Sequence, residues 1–447
     1  MKKESFPILK TKVAGIDIGS THYHVCVSDD DVKEFTTYTS GCKALIDHLN
    51  LHDISTVVIE STGVYSEVLL DYLLKEKFEV ILANPSHVKA IPGKKSDMND
   101  CMWLRKLGMY GLVKGSFLLL TEFSPLRALT RCRADLIKQQ ASCVNKMQKA
   151  LTQMNIRLTE TISDIVGVSG RRIIEAILKG QRDPNVLLSY CHDKIQKNKA
   201  DLVLEALNGN YKNEYIFTLQ RAYDGYVFYE NQIKVCDQEI SNELKEITQD
   251  LDPVEFETKR KPIRDHAPMV ENMAEMLLKI TKGNDPQNIP GITDYSFLRI
   301  LSEVGPDIGE KFKTEKQFIS WLQLCPRQDQ SGKYKRRSKY QSYNQAGQIF
   351  RVLAQSIMIS KHIGIGSFGR RIKARSGPKV GIKALAAKIA RYFYWQLTKG
   401  GNFVAIGIKE YEEREMERRK KFLAKTAKEF GYKLVPEENE QNVGKSA

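Results

Sequence analysis

Features typical of secreted and membrane proteins are missing from this 447-residue chain. Its eight cysteines are scattered without a Cys-x-x-Cys pair, which argues against a zinc ribbon and a disulfide framework and favours a reducing compartment. The amino-terminal segment carries charges but no apolar stretch of signal-peptide length. No segment approaches the roughly 18 apolar residues of a membrane span. We therefore expect a soluble, cytoplasmic protein without a membrane partner.

Negative charge is the scarcer sign. The chain has 69 Lys and Arg against 54 Asp and Glu, a net charge of +15. Such an excess favours a polyanionic partner, nucleic acid first and an anionic membrane second, although an ordinary basic surface would give the same total. The length exceeds what one hydrophobic core usually serves, so two or three domains are expected.

Strand and helix patterns alternate between about residues 12 and 120. A sequence of this kind predicts an α/β layout with a central sheet. The predicted strands are VAGIDI (13–18), HYHVCVS (22–28), FTTYT (35–39), TVVIE (56–60) and FEVILA (78–83), and the predicted helices cover 44–51 and 64–74.

Four carboxylates occupy informative places in this segment. Asp17 comes late in the first strand and Glu60 ends a later one, while Asp97 and Asp100 lie three apart at a helix start. Residues three apart share one helix face, where two carboxylates repel each other unless a cation lies between them. Each acid alone is more often a surface or capping residue. The set of four predicts an Mg²⁺ site, in which two ions about 4 Å apart could act on a phosphodiester.

A rival interpretation uses the same strand. Asp17-Ile18-Gly19-Ser20-Thr21 also matches the phosphate-binding hairpin of the actin, sugar-kinase and Hsp70 class of ATPases. That class needs a second Asp-x-Gly phosphate loop on a later strand, and the sequence has no clear one. Its core sheet is the same, so the motif by itself does not separate the two classes.

The middle of the chain shows helical periodicity. Apolar residues recur every seven positions from 125 to 158 and again from 226 to 247, which predicts long helices and a coiled coil. The first helix is basic through Arg127, Arg131 and Arg133. A bundle within one chain and a dimer both fit this pattern. Residues 250–268, with three prolines and little periodicity, are interpreted as a linker.

Two glycine turns precede apolar helices, at 166–170 and 289–293. A glycine turn that opens a helix favours a helix-hairpin-helix-like element, whose backbone N–H groups can meet a phosphate. The segment from 315 to 400 is helical and basic, and it contains a polar loop, 326–345, in which tyrosines alternate with cations. Such loops suit phosphate contact and base stacking. The candidate nucleic-acid contacts are Lys94, Lys95, Lys333, Lys335, Arg336, Arg337 and Lys339.

Several motifs together carry a family resemblance over roughly residues 12 to 405. They are VAGIDIGSTHYHVCV, VIESTGVYSEVL, ANPSHVKAIPGKKSDMNDCMWL, ISDIVGVSGRRIIEAILKGQRDP, IPGITDYSFLRILSEVGPD and FISWLQLCPRQDQSGKYK, in this order. The chain resembles the DEDD-type transposases of insertion sequences, described as bridge-RNA-guided recombinases and related to pilin gene-inverting recombinases.

This resemblance implies both a fold and a domain order. The expected fold is α/β plus α: a RuvC-like domain of the ribonuclease-H fold, a helical coiled-coil insertion, and a mainly helical transposase domain. The expected bounds are 10–122 for the RuvC-like domain, 123–270 for the helical region, 280–405 for the transposase domain, and 406–447 for a charged helix and a disordered tail.

The resemblance also implies the chemistry. Asp17, Glu60, Asp97 and Asp100 match the metal-binding acids, and Ser331, after Leu324-Cys325-Pro326, matches the nucleophilic serine. The loop has only one glycine and is slightly shorter than the family pattern, so Ser338 and Ser342 stay as alternative hydroxyls. Expected partners are a guide (bridge) RNA, donor and target DNA, and further copies of the chain in a homodimer or homotetramer.

Two other functions remain open at this stage. A Holliday-junction-type nuclease would use the same acids with water as its nucleophile, and it would form no stable serine–DNA link. A scaffold that binds nucleic acid without catalysis would keep salt-sensitive binding when all four acids are neutralised.

Overall fold

The computed structural model describes most of the chain, and its residues divide into two compact units, Met1–Phe123 and Ser124–Ala447. For Asp97, Met98, Thr121, 329–331 and 334–336 it describes the backbone alone. Among the described residues, no helix combines the length and the apolar character that crossing a membrane requires. The described residues are 7–60, 63–83, 97–113, 115, 118, 121–257, 259–263, 265–325, 329–331, 334–336, 344–360 and 364–435. From residue 436 onward, the predicted tail lies outside them.

The N-terminal unit is built on a mixed five-stranded sheet of order β3-β2-β1-β4-β5. The first three strands are antiparallel neighbours, whereas β4 runs parallel to both β1 and β5. The described elements are β1 (Val13–Ile18), β2 (His22–Ser28), β3 (Asp31–Thr36), α1 (Thr39–Leu51), β4 (Thr56–Glu60), α2 (Val64–Lys75), β5 (Glu79–Ala83) and α3 (Asp97–Met109).

Alternation along the strands gives the sheet two covered faces. Ile16 of β1 and Ile59 of β4 belong to a core that also contains Leu45 of α1 and Leu69 of α2. Residues one position away point to the opposite face, because successive side chains of a strand alternate. There, a smaller apolar cluster joins Val13, Val58 and Ala83 to Leu104 of α3.

Glycine on the sheet and on the helix lets α3 lie close to the strands. A Cβ on Gly15 of β1 would lie 2.1 Å from the carbonyl oxygen of Cys101. A Cβ on Gly108 of α3 would lie 2.5 Å from a methyl carbon of Val58. Both distances are shorter than any real carbon contact, so these two positions require glycine for the observed packing.

The C-terminal unit is helical apart from one short hairpin among its described residues. The elements are α4 (Ser124–Gln153), α5 (Leu158–Thr161), α6 (Val168–Leu178), α7 (Pro184–Ser189), α8 (Asp193–Ala206), α9 (Asn213–Thr248), α10 (Met273–Ile280), α11 (Asp294–Val304), α12 (Ile308–Lys311), α13 (Glu315–Trp321), β6 (Asp329–Ser331), β7 (Tyr334–Arg336), α14 (Gln345–Ile359), α15 (Gly364–Ser376), α16 (Pro378–Lys399) and α17 (Gly401–Glu429).

The two longest helices that the seven-residue repeats predicted pack against each other within the chain. The Cys236 thiol of α9 donates to the Leu129 carbonyl of α4 at 3.3 Å, whereas a Cβ on Gly225 would touch the Cys143 sulfur. Residue numbers thus rise on one helix as they fall on the other, so the pair is antiparallel. Of the two alternatives for these repeats, a bundle within one chain and a dimer, this packing corresponds to the bundle.

Two local expectations were wrong. The third strand covers Asp31–Thr36 instead of 35–39. Residues 334–336 of the predicted polar loop pair with 329–331 in an antiparallel hairpin, β6–β7. The described part of the predicted linker, 250–268, contains no helix or strand, and Arg260 within it forms ion pairs with Asp285 and Asp294.

Candidate active site of the N-terminal sheet

Asp17 and Glu60 lie side by side at one edge of the sheet. In the parallel pair β1–β4, Ile16 is the partner of Ile59, so the next residues, Asp17 and Glu60, continue the same register. Ile16 and Ile59 face the core with α1 and α2. Because side chains alternate, both carboxylates point to the opposite face, which α3 covers. Each of the two residues is half-buried.

Helix α3 brings its amino end to these carboxylates. Its residue Cys101 lies over Gly15, and its later residue Gly108 lies over Val13 and Val58. The helix therefore runs opposite to β1, and its first turn lies toward the carboxyl end of that strand. This turn contains Asp97 and Asp100. Asp100 is half-buried, while the side chain of Asp97 is outside the described residues.

The charge of Asp17 acts on Cys101, the residue that follows Asp100 on α3. A hydrogen bond with Cys26 and burial raise the pKa of the Cys101 thiol, and the charge of Asp17 raises it further. Among the residues that the structure describes, no cation forms an ion pair with Glu60 or Asp100. The amino end of a helix carries partial positive charge, which offsets only part of the repulsion among gathered carboxylates. An added cation would relieve the rest.

His24 is a residue that sequence reasoning missed. It is the partner of Asp17 across the β1–β2 pair, and it is also the partner of Glu34 on β3. A polar row thus crosses four strands on the face of α3, from Glu34 through His24 and Asp17 to Glu60. The His24 Nδ1 atom is buried and has no hydrogen-bond partner among the described residues. The alternation of HYHVCVS could have indicated this face, but only the strand register places His24 beside Asp17.

The other predicted site residues are not brought together with this cluster by anything described. Ser331 ends β6, and Lys335 and Arg336 lie on β7. The side chains of these three residues lie outside the described part of the chain. So do Lys94, Lys95, Lys333, Arg337 and Lys339 in full. Their roles stay predictions.

Part of the predicted basic surface of α4 serves internal packing. Arg131 donates to both carboxylate oxygens of Glu303 on α11, at 2.7 and 2.8 Å. Arg127 donates to the backbone carbonyl of the same residue at 3.2 Å. Arg133 and Asp237 form an ion pair in which both side chains are almost fully buried. These three arginines therefore join helices of the C-terminal unit.

Contacts within the C-terminal unit also hold the backbone of the glycine turn before α11. Gly291 has a φ of +85°, a value that favours glycine. The Thr293 side chain caps α11 in a reciprocal arrangement with Ser296. Lys261 donates to the carbonyl oxygens of Gln287 and Ile289, which fixes the backbone just before the turn. Whether this turn meets a phosphate stays a prediction.

Comparison with known proteins agrees with an acid-bearing enzyme that acts on DNA. A family model for transposases of the DEDD type of IS110 matches residues 14–156, and a model described as transposase IS116/IS110/IS902 family matches residues 287–362. The first match contains all four candidate acids, and the second contains Ser331. A search of the curated proteins finds no match.

The class defined by these findings is a DNA transposase or recombinase, an enzyme whose substrate is DNA. The chain belongs to the IS110 family of DEDD transposases. A DEDD domain indicates dependence on a divalent metal ion.

Proposed function

We propose that this transposase is an RNA-guided DNA recombinase that cuts and rejoins strands through a serine-linked DNA intermediate. In this proposal Asp17, Glu60, Asp97 and Asp100 hold Mg²⁺, and Ser331 is the nucleophile. The observation that carries it is the meeting of the Asp17–Glu60 pair with the amino end of α3 on one face of the sheet. The sheet order supports a RuvC-like, ribonuclease-H fold for the N-terminal unit.

The residues present fit a hard cation. Asp17, Glu60 and Asp100 offer carboxylate oxygens, the ligand type that Mg²⁺ prefers. The half-burial of all three would leave room for water and a phosphate oxygen as further ligands. When bound, the ion would help to remove the proton of the attacking hydroxyl and would offset charge that develops on the phosphate.

The serine step conserves the phosphodiester energy. The Ser331 Oγ would lose its proton and form a bond to phosphorus, while the bond from phosphorus to the leaving sugar oxygen breaks and that oxygen takes up a proton. Attack by a sugar hydroxyl of another strand would reverse these bond changes, release the serine and join the strands without ATP. A base-paired guide RNA would select the DNA sequences, so the protein's cations would need to grip only backbones.

The test is a covalent-adduct assay with the full chain, Mg²⁺, the guide RNA and labelled DNA carrying the element's ends. We expect the wild-type protein to form an adduct that survives denaturing electrophoresis. Ser331→Ala should abolish the adduct and keep RNA binding. Asp100→Asn should lower adduct formation at least roughly 1,000-fold, because the metal site contributes several kcal/mol to the transition state.

Two kinds of control make the assay decisive. Asp71→Asn removes an exposed carboxylate of the same unit that pairs with Lys75, and it should leave adduct formation unchanged. An adduct that persists in Ser331→Ala but disappears in Ser338→Ala or Ser342→Ala would overturn the serine assignment. DNA cut by the wild-type protein without any adduct would instead indicate a nuclease that uses water.

A further inference from the structure

A second group of possible metal ligands lies on the other face of the same sheet. Asp31 begins β3, which is an edge strand. His48 lies in the last turn of α1, and His52 is the C-cap residue that follows this helix. The His52 backbone N–H donates to the His48 carbonyl at 3.3 Å, so the two residues lie on the same side of the helix end. Helix α1 packs on the face opposite to α3, which separates this group from the acids discussed above.

The ligand atoms of the three side chains converge. One nitrogen of each histidine and one Asp31 oxygen all lie within 4.8 Å of one another. The Asp31 Oδ2 atom is 3.3 Å from His52 Nε2 and 3.9 Å from His48 Nε2. A tetrahedral ion with bonds of about 2.0–2.1 Å holds neighbouring ligand atoms roughly 3.4 Å apart. Only small side-chain movements would bring all three atoms to that spacing.

His48 supplies the observation that points to a ligand. Its side chain is 5% exposed, and its Nε2 atom has no hydrogen-bond partner among the described residues. The distance to Asp31 is too long for a hydrogen bond. Leaving a buried polar atom without a partner is costly, so such an atom calls for an explanation. The unpartnered nitrogen points to the same place as His52 and Asp31.

The charges around His48 favour the form of imidazole that binds metal. Burial lowers the pKa of His48, and the cation of Lys33 on β3 lowers it further, against an opposite effect of Asp31.

We propose that Asp31, His48 and His52 form a Zn²⁺ site that ties helix α1 to the edge strand β3. The donor set of two imidazoles and one carboxylate suits zinc, whereas the all-oxygen cluster on the opposite face suits magnesium. His52 is 36% exposed, which gives the ion a path from solvent and leaves a fourth position for water. The site would stabilise the sheet edge, and it stands independently of the proposed recombinase chemistry.

The experiment measures zinc binding to the full chain by calorimetry in excess Mg²⁺, which would compete with zinc for the carboxylate cluster. We expect one Zn²⁺ per chain at this site. His48→Gln and His52→Gln should each lower the affinity for Zn²⁺ at least about 100-fold. Mutation of residues that only hydrogen-bond to metal ligands already lowers metal affinity about 10-fold to 100-fold. The matched control is His22→Gln, an exposed histidine of the same sheet beside Glu34, and it should leave binding unchanged.

Cobalt substitution checks the identity of the ligands. Co²⁺ bound at this site should show visible absorption bands without a thiolate charge-transfer band, and His52→Gln should remove the bands. Unchanged zinc affinity in His52→Gln, or a thiolate band in the wild-type protein, would overturn the proposal. Because His52 is partly exposed, its variant should fold even if His48→Gln does not.

Discussion

The two units of this transposase treat buried charge in opposite ways. In the C-terminal unit, charges of opposite sign are matched, as in the buried pair of Arg133 and Asp237 and the bidentate pair of Arg131 and Glu303. In the N-terminal unit, Asp17, Glu60 and the amino end of α3 with Asp100 lie at one edge of the sheet. Among the described residues, no cation forms an ion pair with Glu60 or with Asp100.

This difference separates charge that holds the fold together from charge that the proposed metal site would use. When a charge is buried, its loss of hydration costs free energy, and an oppositely charged partner offsets that cost. The buried pairs of the C-terminal unit therefore need no further ion. A group of carboxylates on one face raises the energy of the folded protein until a cation binds. The count of 69 Lys and Arg therefore overstates the cations available to nucleic acid, since Arg131 and Arg133 of α4 are already paired with Glu303 and Asp237.

The largest effect is expected where α3 lies on the sheet. Gly15→Ala places a Cβ 2.1 Å from the Cys101 carbonyl oxygen, so the amino end of α3 must move by roughly 1 Å. A displacement of that size between catalytic groups can cost about 100-fold in rate. We expect Mg²⁺-dependent DNA strand transfer to fall at least about 100-fold, with a lower unfolding temperature.

A matched control exists on the same unit. A Cβ on Gly115 would meet only ordinary contacts, the nearest atom being 3.7 Å away. Gly115→Ala should keep strand transfer within about twofold of the wild type. If Gly15→Ala kept full activity, the acids on α3 would not belong to the site.

The next effect concerns stability of the C-terminal unit. Arg133→Met leaves Asp237 buried without its cation, and it also removes the hydrogen bond to the His266 carbonyl at 3.1 Å. Breaking a buried pair from one side costs about 3–5 kcal/mol. We expect a loss of that size in the free energy of unfolding, measured by urea denaturation.

The double variant tests whether the lost energy comes from the unpaired charge. Arg133→Met with Asp237→Leu removes both charges and should recover most of the stability, because replacement of a whole buried pair by apolar groups is often neutral. A double variant as unstable as the single one would show that packing around Arg133, for example its stacking on Tyr295, matters more than charge.

Much of the N-terminal unit follows from its sequence alone. The limits of β1, β2 and β4 agree with the predicted strands, because each is a β-rich run bounded by turn residues. The start of α3 at Asp97 was also predicted correctly. Chain position therefore indicated that Asp17 and Glu60 lie at strand ends.

The remainder depends on contacts between distant residues. Neither the register of β1 with β2, which places His24 beside Asp17, nor the pairing of Arg131 with Glu303 leaves a local signal. Seven-residue repeats predict an apolar stripe but do not name the helix that covers it. For this reason the sequence predicts a basic helix at α4 but not that Arg127, Arg131 and Arg133 join helices of the C-terminal unit.

The smallest expected effect concerns Lys388, a half-buried cation of the C-terminal unit that has no ion pair with a described acid. Burial lowers the pKa of Lys388 to about 8, with Arg371 and Arg391 adding repulsion, and its Nζ lies 3.0 Å from the centre of the Tyr411 ring. Between this value and the ordinary lysine pKa of 10.5, the unfolded chain binds more protons than the folded one. Stability must therefore rise with pH across that window.

Lys388→Met should remove this rise, because the substituted side chain has no proton to lose. Urea denaturation of both proteins at several pH values between 7 and 10.5 would give the slope of the free energy of unfolding against pH for each. The other titratable groups are the same in both proteins, so the difference between the two slopes reports Lys388. We expect the variant to gain about 1 kcal/mol on the wild type at pH 7, and less at pH 10, where the wild-type lysine is already neutral in the folded state. A parallel pH dependence in both proteins would mean that Lys388 stays fully hydrated or that the Tyr411 ring compensates its charge. Lys388 would then be no exception to the pairing of buried charges in the C-terminal unit.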